Sequence, residues 1–193
     1  MSFSIFDYLT QSFIHPTKTG SVAPSSEHLC ELLTDKAELH NASTVIEFGP
    51  GTGVFTERIL NKISSDTTFF ALEINPKFAA ATKLRCPQAI VYNDSAENAK
   101  QHLLNHGVTA CDCIISALPW SVFNSNLQDK LLTTIWDILE PGGKLLTVAY
   151  FHALIFPSAQ RFRKRLYNTF PTVTKTEIVW KNFPPAFVYC AQK

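Results

Sequence analysis

No apolar run in the 193-residue sequence approaches the ~20 residues that a membrane-crossing helix needs. The N-terminus has neither a basic head nor a continuous apolar stretch, so it does not read as a secretory signal. The expectation is a cytoplasmic protein that meets a membrane, if at all, only peripherally. An excess of either charge is also missing: 17 Lys and Arg face 16 Asp and Glu, for a net charge of +1. A protein that grips a long nucleic-acid duplex usually carries a clear basic excess, so no nucleic-acid partner is expected. Paired metal-ligand clusters are absent too. The five cysteines (Cys30, Cys86, Cys111, Cys113 and Cys190) include no Cys-x-x-Cys. Cys111 and Cys113 share one face of an apolar strand, and the set reads as reduced, buried thiols. His102 and His106 lie four apart on a helix. With no third ligand nearby they read as part of a solvated face, and no metal is expected.

Hydrophobic residues make up 46% of the chain and charged residues 17%, enough apolar material for a full core. The length suits one domain with a short appendage. Residues 1–23 would be that appendage: Phe6, Leu9 and Phe13 stand at helical spacing within 2–14, and His15-Pro16 ends the helix. Residues 24–193 would be the domain, opening with a helix capped by Ser25 or Ser26 that runs to about Ala37. From Ser43 short apolar strands alternate with helices. The strands are expected at 44–48, 67–72, 89–92, 111–116 and 144–149, the helices at 53–63, 76–84, 95–106 and 126–139, with Pro141-Gly142-Gly143 turning the chain into the fifth strand. After a helix over 156–170, strands 172–181 and 186–191 follow without a helix between them and must pair antiparallel. Such alternation predicts an α/β fold: a Rossmann-like, mostly parallel seven-stranded sheet, helices on both faces, closed by an antiparallel hairpin.

The most informative segment is Val45-Ile46-Glu47-Phe48-Gly49-Pro50-Gly51-Thr52-Gly53. Gly49, Gly51 and Gly53 between a strand and a helix permit a tight turn and close approach of a ligand. A dinucleotide fingerprint would place its last glycine at position 54, which is Val54. Glu47 would repel a pyrophosphate, but would suit a ligand bearing ammonium and sulfonium groups and no phosphate, such as S-adenosylmethionine. Glu73 ends the second strand 20 residues beyond the last glycine, beside Ile74. Its two oxygens can accept from both hydroxyls of a ribose. Asp94, followed by Ser95, ends the third strand. Asp94 either accepts from an adenine amine, or Asp94 or Ser95 caps the next helix. Ser116-Ala117-Leu118-Pro119-Trp120 ends the fourth strand. Ser116 and Leu118 there face the cofactor, while Trp120 is either an aromatic wall beside the reacting methyl or ordinary core packing.

These motifs resemble those of the group containing bacterial phospholipid N-methyltransferases and ribosomal RNA adenine dimethylases, and the resemblance covers essentially the whole chain. Thr19–Ser26, Ser116–Trp120, Ala149–Ala153 and Trp180–Tyr189 are similar to segments of the lipid enzymes. The third motif departs from the family in carrying Asn93 where a glycine precedes the acid. The RNA enzymes open the fourth motif with asparagine, where this chain has Ser116, and usually carry a helical C-terminal domain, whereas this chain stops after its last strand.

The resemblance implies a class I methyltransferase using S-adenosyl-L-methionine, a phospholipid substrate at the membrane surface, and methylation of phosphatidylethanolamine towards phosphatidylcholine. RNA adenine N6-methylation and a non-catalytic cofactor-binding module are the alternatives. Catalytic candidates are Tyr150 and Trp120, whose rings can stabilise a developing ammonium, and His152 as proton acceptor. Tyr150 and His152 could equally be packing beneath the loop that follows. Arg161 and Arg165, within a cluster that includes Arg163 and Lys164, would bind the lipid phosphate unless they form a solvated helix face. Residues 2–14 would dock on the membrane.

Overall fold

Residues 25–193 are described by the computed structural model. The expectations for the helix at 2–14 and the loop at 17–24 fall outside these residues. The elements follow in the order α1 (Glu27–Ala37), β1 (Thr44–Phe48), α2 (Val54–Leu60), β2 (Thr68–Leu72), α3 (Pro76–Arg85), β3 (Ile90–Tyr92), α4 (Ala99–Asn105), β4 (Cys111–Ser116), α5 (Ser125–Ile138), β5 (Leu139–Tyr150), α6 (Pro157–Thr169), β6 (Thr172–Lys175) and β7 (Ala186–Gln192). The strands form one sheet in the order β3-β2-β1-β4-β5-β7-β6. β1 to β5 run parallel, and β7 runs antiparallel to both β5 and β6. This is the Rossmann-like methyltransferase architecture.

A buried parallel strand sends successive side chains to opposite faces, and β1 shows the consequence. Ile46 and Phe48 join a core with Phe70, Ile114 and Leu145 under α4, α5 and α6. Val45 joins a second core with Ala71, Ile115 and Leu146 under α1 and α2. Both cores are dense in fully buried side chains, Phe48 and Phe70 the largest. Helix starts follow local chemistry. Ser26 caps α1 by accepting from the Leu29 amide, Asn75 caps α3 ahead of Pro76, and Asn124 caps α5.

Several boundaries differ from the sequence expectation. The helix expected at 95–106 opens with a 3-10 turn at Ala96–Asn98, because Ser95 accepts from the Glu97 amide. The strand expected at 172–181 stops at Lys175, leaving Val179 as an isolated bridge to Ala186. β5 begins at Leu139 rather than 144. Leu139 pairs with Cys111 and Lys144 with Cys113, so the residues around Pro141-Gly142-Gly143 bulge within one strand. The C-terminal pair is antiparallel as expected, but β7 lies between β5 and β6.

His102 and His106 do not form a solvated face. His106 stacks on Phe70 with centroids 5.0 Å apart, and its Nε2 is 3.0 Å from the Tyr92 hydroxyl. His102 packs on Tyr92 and sits 2.8 Å from Asp94. Cys30, Cys86, Cys111 and Cys113 are buried, and all five cysteines are free. Among the described residues no helix is long and apolar enough to cross a membrane.

The start of the sheet is fastened by Asp112, whose Oδ2 accepts from the Ser43 and Thr44 amides at 2.9 and 2.7 Å. Asp112→Ala leaves both donors without this partner and should lower the free energy of unfolding by about 1–3 kcal/mol. Urea denaturation followed by circular dichroism measures this directly.

Candidate functional site

Strand order reverses between β1 and β4, and a crevice of about 320 Å3 opens above their C-terminal ends. One rim is the glycine loop. Gly49 has φ +72°, and a Cβ there would come within 3.0 Å of a Leu118 methyl carbon. Gly53 has φ +82°, and a Cβ there would lie 3.3 Å from the Thr82 backbone. A larger residue at either position would strain the turn and crowd its neighbour. The loop is held by the Gly53 amide donating to the Pro50 carbonyl and by the Thr82 hydroxyl donating to the Gly51 carbonyl.

Glu73 joins this rim to the next. One carboxylate oxygen accepts from the Gly51 amide at 3.1 Å and the other from the Asn75 amide at 2.9 Å. Each oxygen keeps a further lone pair for a ligand, and the side chain lines the crevice. Burial raises the Glu73 carboxyl above its usual range, against the pull of those amides. Asn93 donates to the Glu73 and Ile74 carbonyls at 2.8 and 3.1 Å. It thereby ties the end of β2 to the end of β3. Ile74 is half exposed and also lines the crevice.

Asp94 and Ser95 form the far wall. Asp94 accepts from the Ser95 amide, the Asn98 side chain and the His102 ring. His102 holds its carboxyl below the usual carboxylate range. Helix capping belongs to Ser95, and Asp94 braces the same turn from the wall. The opposite wall is Ala117, Leu118 and Pro119, continued by Phe123, Leu127 and Leu131. Sequence reasoning missed Asn75, Phe78, Glu97, Phe123 and the α5 residues Leu127 and Leu131. Leu127 and Leu131 carried a signal, being four apart on one helix face. Among the described residues the wall carries three acids, Glu73, Asp94 and Glu97, and no lysine or arginine. It favours a ligand carrying positive charge and a flat apolar group.

Four expected positions need correction. Glu47 is fully buried behind the loop, where one oxygen accepts from the Thr56 hydroxyl at 2.7 Å and the other has no partner. Its parity with Val45 sends it to the α1–α2 face, away from the crevice. Burial pushes its carboxyl up to about 8, so it is largely uncharged at neutral pH. Ser116 is also fully buried, its hydroxyl accepting from the Leu118 amide beneath the wall. Trp120 packs in the core, stacked on Phe162 at 4.3 Å with its indole N–H donating to Thr147 Oγ1 at 2.9 Å. Arg165 is committed within the fold, donating to Gln128 and Ser125 and pairing with Asp129 at 3.0 Å. Arg161 remains exposed. Tyr150 and His152 stand together at the upper end of β5, ring centroids 5.9 Å apart, outside the crevice wall. Burial raises the Tyr150 hydroxyl above its ordinary value.

Glu47 has a consequence for stability. Its folded carboxyl titrates near 8, well above the unfolded value of 4.5. The folded protein therefore holds a proton that the unfolded chain has lost. The stabilisation is complete below pH 4.5 and is lost as pH rises towards and through 8. Glu47→Gln, which keeps the shape and cannot ionise, should flatten this fall between pH 5 and 8. Thermal melts across that range measure the difference in slope.

The model of the ribosomal RNA adenine dimethylase family matches residues 25–93, from the start of α1 to just past β3. An ornithine lipid N-methyltransferase from Singulisphaera acidiphila is 28% identical over 187 residues, covering 95% of this chain and 93% of its own. A ubiquinone/menaquinone biosynthesis C-methyltransferase from Pasteurella multocida is 23% identical over 72% of this chain, which spans about half of its length. Among solved structures, an O-methyltransferase from Bacillus cereus in complex with SAH superposes with a TM-score of 0.69 at 14% identity, covering 96% of each chain. These proteins transfer methyl groups to different atoms. What the solved structure shares with this chain is the fold, over nearly the whole of both chains. The chain thus has the fold of the class I S-adenosylmethionine-dependent methyltransferases and is similar, over nearly its whole length, to a lipid N-methyltransferase.

Proposed function

We propose that the protein N-methylates the amino headgroup of a membrane lipid, with phosphatidylethanolamine and ornithine lipid as the acceptors to test. The observation that carries this reading is the reach of the similarity. The likeness to a lipid N-methyltransferase runs through 95% of the chain, and so extends well past β4 into the part that would meet an acceptor. The RNA dimethylase match ends at residue 93, within the half that makes the cofactor crevice. That match is the specific reason to keep RNA adenine methylation as the second reading.

The crevice suits the cofactor. Glu73 would take the ribose hydroxyls and Asp94 the adenine amine. Ile74, Ser95 and Leu118 would enclose the base, and Gly49, Gly51 and Gly53 would let the backbone lie against the remainder. S-adenosylmethionine, when bound, supplies an electrophilic methyl group on a positively charged sulfur. Glu73, Asp94 and Glu97 favour such a cation without a counter-anion from solvent.

An attacking amine must be neutral, oriented and dry, and orientation alone can supply about 7–11 kcal/mol in favourable models. Tyr150, a phenol that burial holds still further from ionisation, can hold the amine through its hydroxyl and offer its ring to the ammonium that develops. That ring is worth about 0.5–2 kcal/mol, depending on desolvation. His152, exposed beside it, can take the released proton into solvent. Arg161 is the remaining candidate for a headgroup phosphate, since Arg165 is already paired.

Labelled S-adenosylmethionine offered with amino-lipid liposomes, and in parallel with small ribosomal subunits, tests the reading. Label should enter the lipid, and its appearance in RNA instead would overturn the proposal. Glu73→Ala should weaken cofactor binding by calorimetry at least tenfold, about 1.4 kcal/mol. Tyr150→Ala should reduce turnover on amino-lipid at least tenfold while cofactor affinity changes less than twofold. Full turnover in that variant would make Tyr150 structural.

A further inference from the structure

An apolar patch lies at the edge of the sheet where β5 ends, separate from the crevice wall. Phe151, Ile155 and Phe156 come from the 3-10 turn after β5 and the residue that follows it. Trp180 and Phe183 come from the connection between β6 and β7. The two segments are joined: the Phe151 amide donates to the Pro185 carbonyl at 2.9 Å, and the Phe151 and Trp180 rings are 5.4 Å apart. All five side chains are exposed, Ile155 at 75%, Trp180 at 66% and Phe183 at 83%. Tyr150, one residue before the patch, pairs with Ala186 in the sheet, so the patch borders the proposed acceptor residues.

Large apolar side chains that remain exposed together mark a surface meant for contact. The charge of the chain segment that carries them indicates the partner. From Pro141 to Lys193 the chain carries eight lysines and arginines, with Glu177 as its one acid. Lys144 and Arg165 are paired with Glu38 and Asp129, while Arg161, Arg163, Lys164 and Lys181 are exposed. A segment that carries exposed cations together with exposed Trp and Phe side chains matches an anionic lipid interface. There aromatic rings settle at headgroup level and cations lie among lipid phosphates.

We propose that Phe151, Ile155, Phe156, Trp180 and Phe183 form the face that docks the enzyme on an anionic bilayer, turning the acceptor side of the sheet toward its substrate. This docking rests on the amino-lipid reading only for its purpose, and the two can fail separately. Electrostatic attraction brings the basic stretch to the surface, and insertion of the rings orients it. Vesicle affinity should therefore depend on both the apolar side chains and lipid charge.

The test uses the full chain with vesicles of phosphatidylglycerol and phosphatidylethanolamine, and with vesicles of phosphatidylcholine alone. Ile155→Ser/Trp180→Ser/Phe183→Ser is compared with Phe183→Ser, which alters a single exposed ring. Calorimetric binding of SAH checks that both variants keep the folded crevice. Affinity for the anionic vesicles should fall at least tenfold in the triple variant and at least twofold in the single one. Methyl transfer to amino-lipid in vesicles should fall with it, while transfer to the same lipid in detergent stays unchanged. Unchanged vesicle affinity in both variants would overturn the proposal, as would equal wild-type affinity for the phosphatidylcholine vesicles. A change of oligomeric state with vesicle affinity intact would mark a subunit interface and overturn it too. Loss of vesicle binding, in an enzyme that methylates no amino-lipid in any form, would support the docking face and reject the substrate.

Discussion

Right-handed crossovers govern where this protein can hold a ligand. Each parallel connection must pass over the sheet with one hand. The steps from β1 outward to β3 therefore carry α2 and α3 on one face, and the steps through β4 to β5 carry α4 and α5 on the other. At the β1–β4 boundary the connections leave in opposite directions, and no helix closes the gap. The glycine loop, the Glu73 turn and the Leu118 wall are the three borders of that gap.

Two glutamates, each one residue from the end of its strand in the neighbouring pair β1 and β2, illustrate how finely position sets chemistry. Glu73 lies just past β2, accepts an amide on each oxygen and faces the crevice. Glu47 lies within β1, is sealed between sheet and helix with one oxygen unpartnered, and is held largely protonated. The negative potential of the site thus comes from the rims, where a carboxylate is both satisfied and reachable, and not from inside the strand. The same contrast separates Arg161, free on α6, from Arg165 one turn further on, which is held by Asp129 of α5.

Much of this was legible in the sequence because it depends on local chemistry. Alternating apolar strands and helices revealed the sheet, and three glycines at alternate positions revealed the turn that borders the crevice. Glu73 was found by its offset from that turn. The misplacements share a cause, which is partners distant along the chain. Trp120 is held by Thr147 and Phe162, Arg165 by Asp129, and His106 by Phe70 and Tyr92. None of these pairings has a local spacing. Glu47 differs, since strand parity with Val45 already assigned it to the face away from the ligand, and the preference for an acid near a cation obscured that geometry. The position of β7 was hidden for yet another reason: antiparallel pairing says which strands are neighbours, not which one lies inside.

That inside position constrains the order of assembly. β6 precedes β7 in the chain, yet it reaches the sheet only through β7. Until β7 pairs with it, β5 presents a long open edge with that side's backbone donors and acceptors unpaired, and β6 can join the sheet only as the outer strand of its pair with β7. An open edge of this kind is a template for pairing with other chains. The interval between forming the parallel half and inserting β7 is therefore when the polypeptide is most exposed to aggregation. Whatever speeds the β6–β7 turn, including the bridge of Val179 to Ala186, shortens that interval.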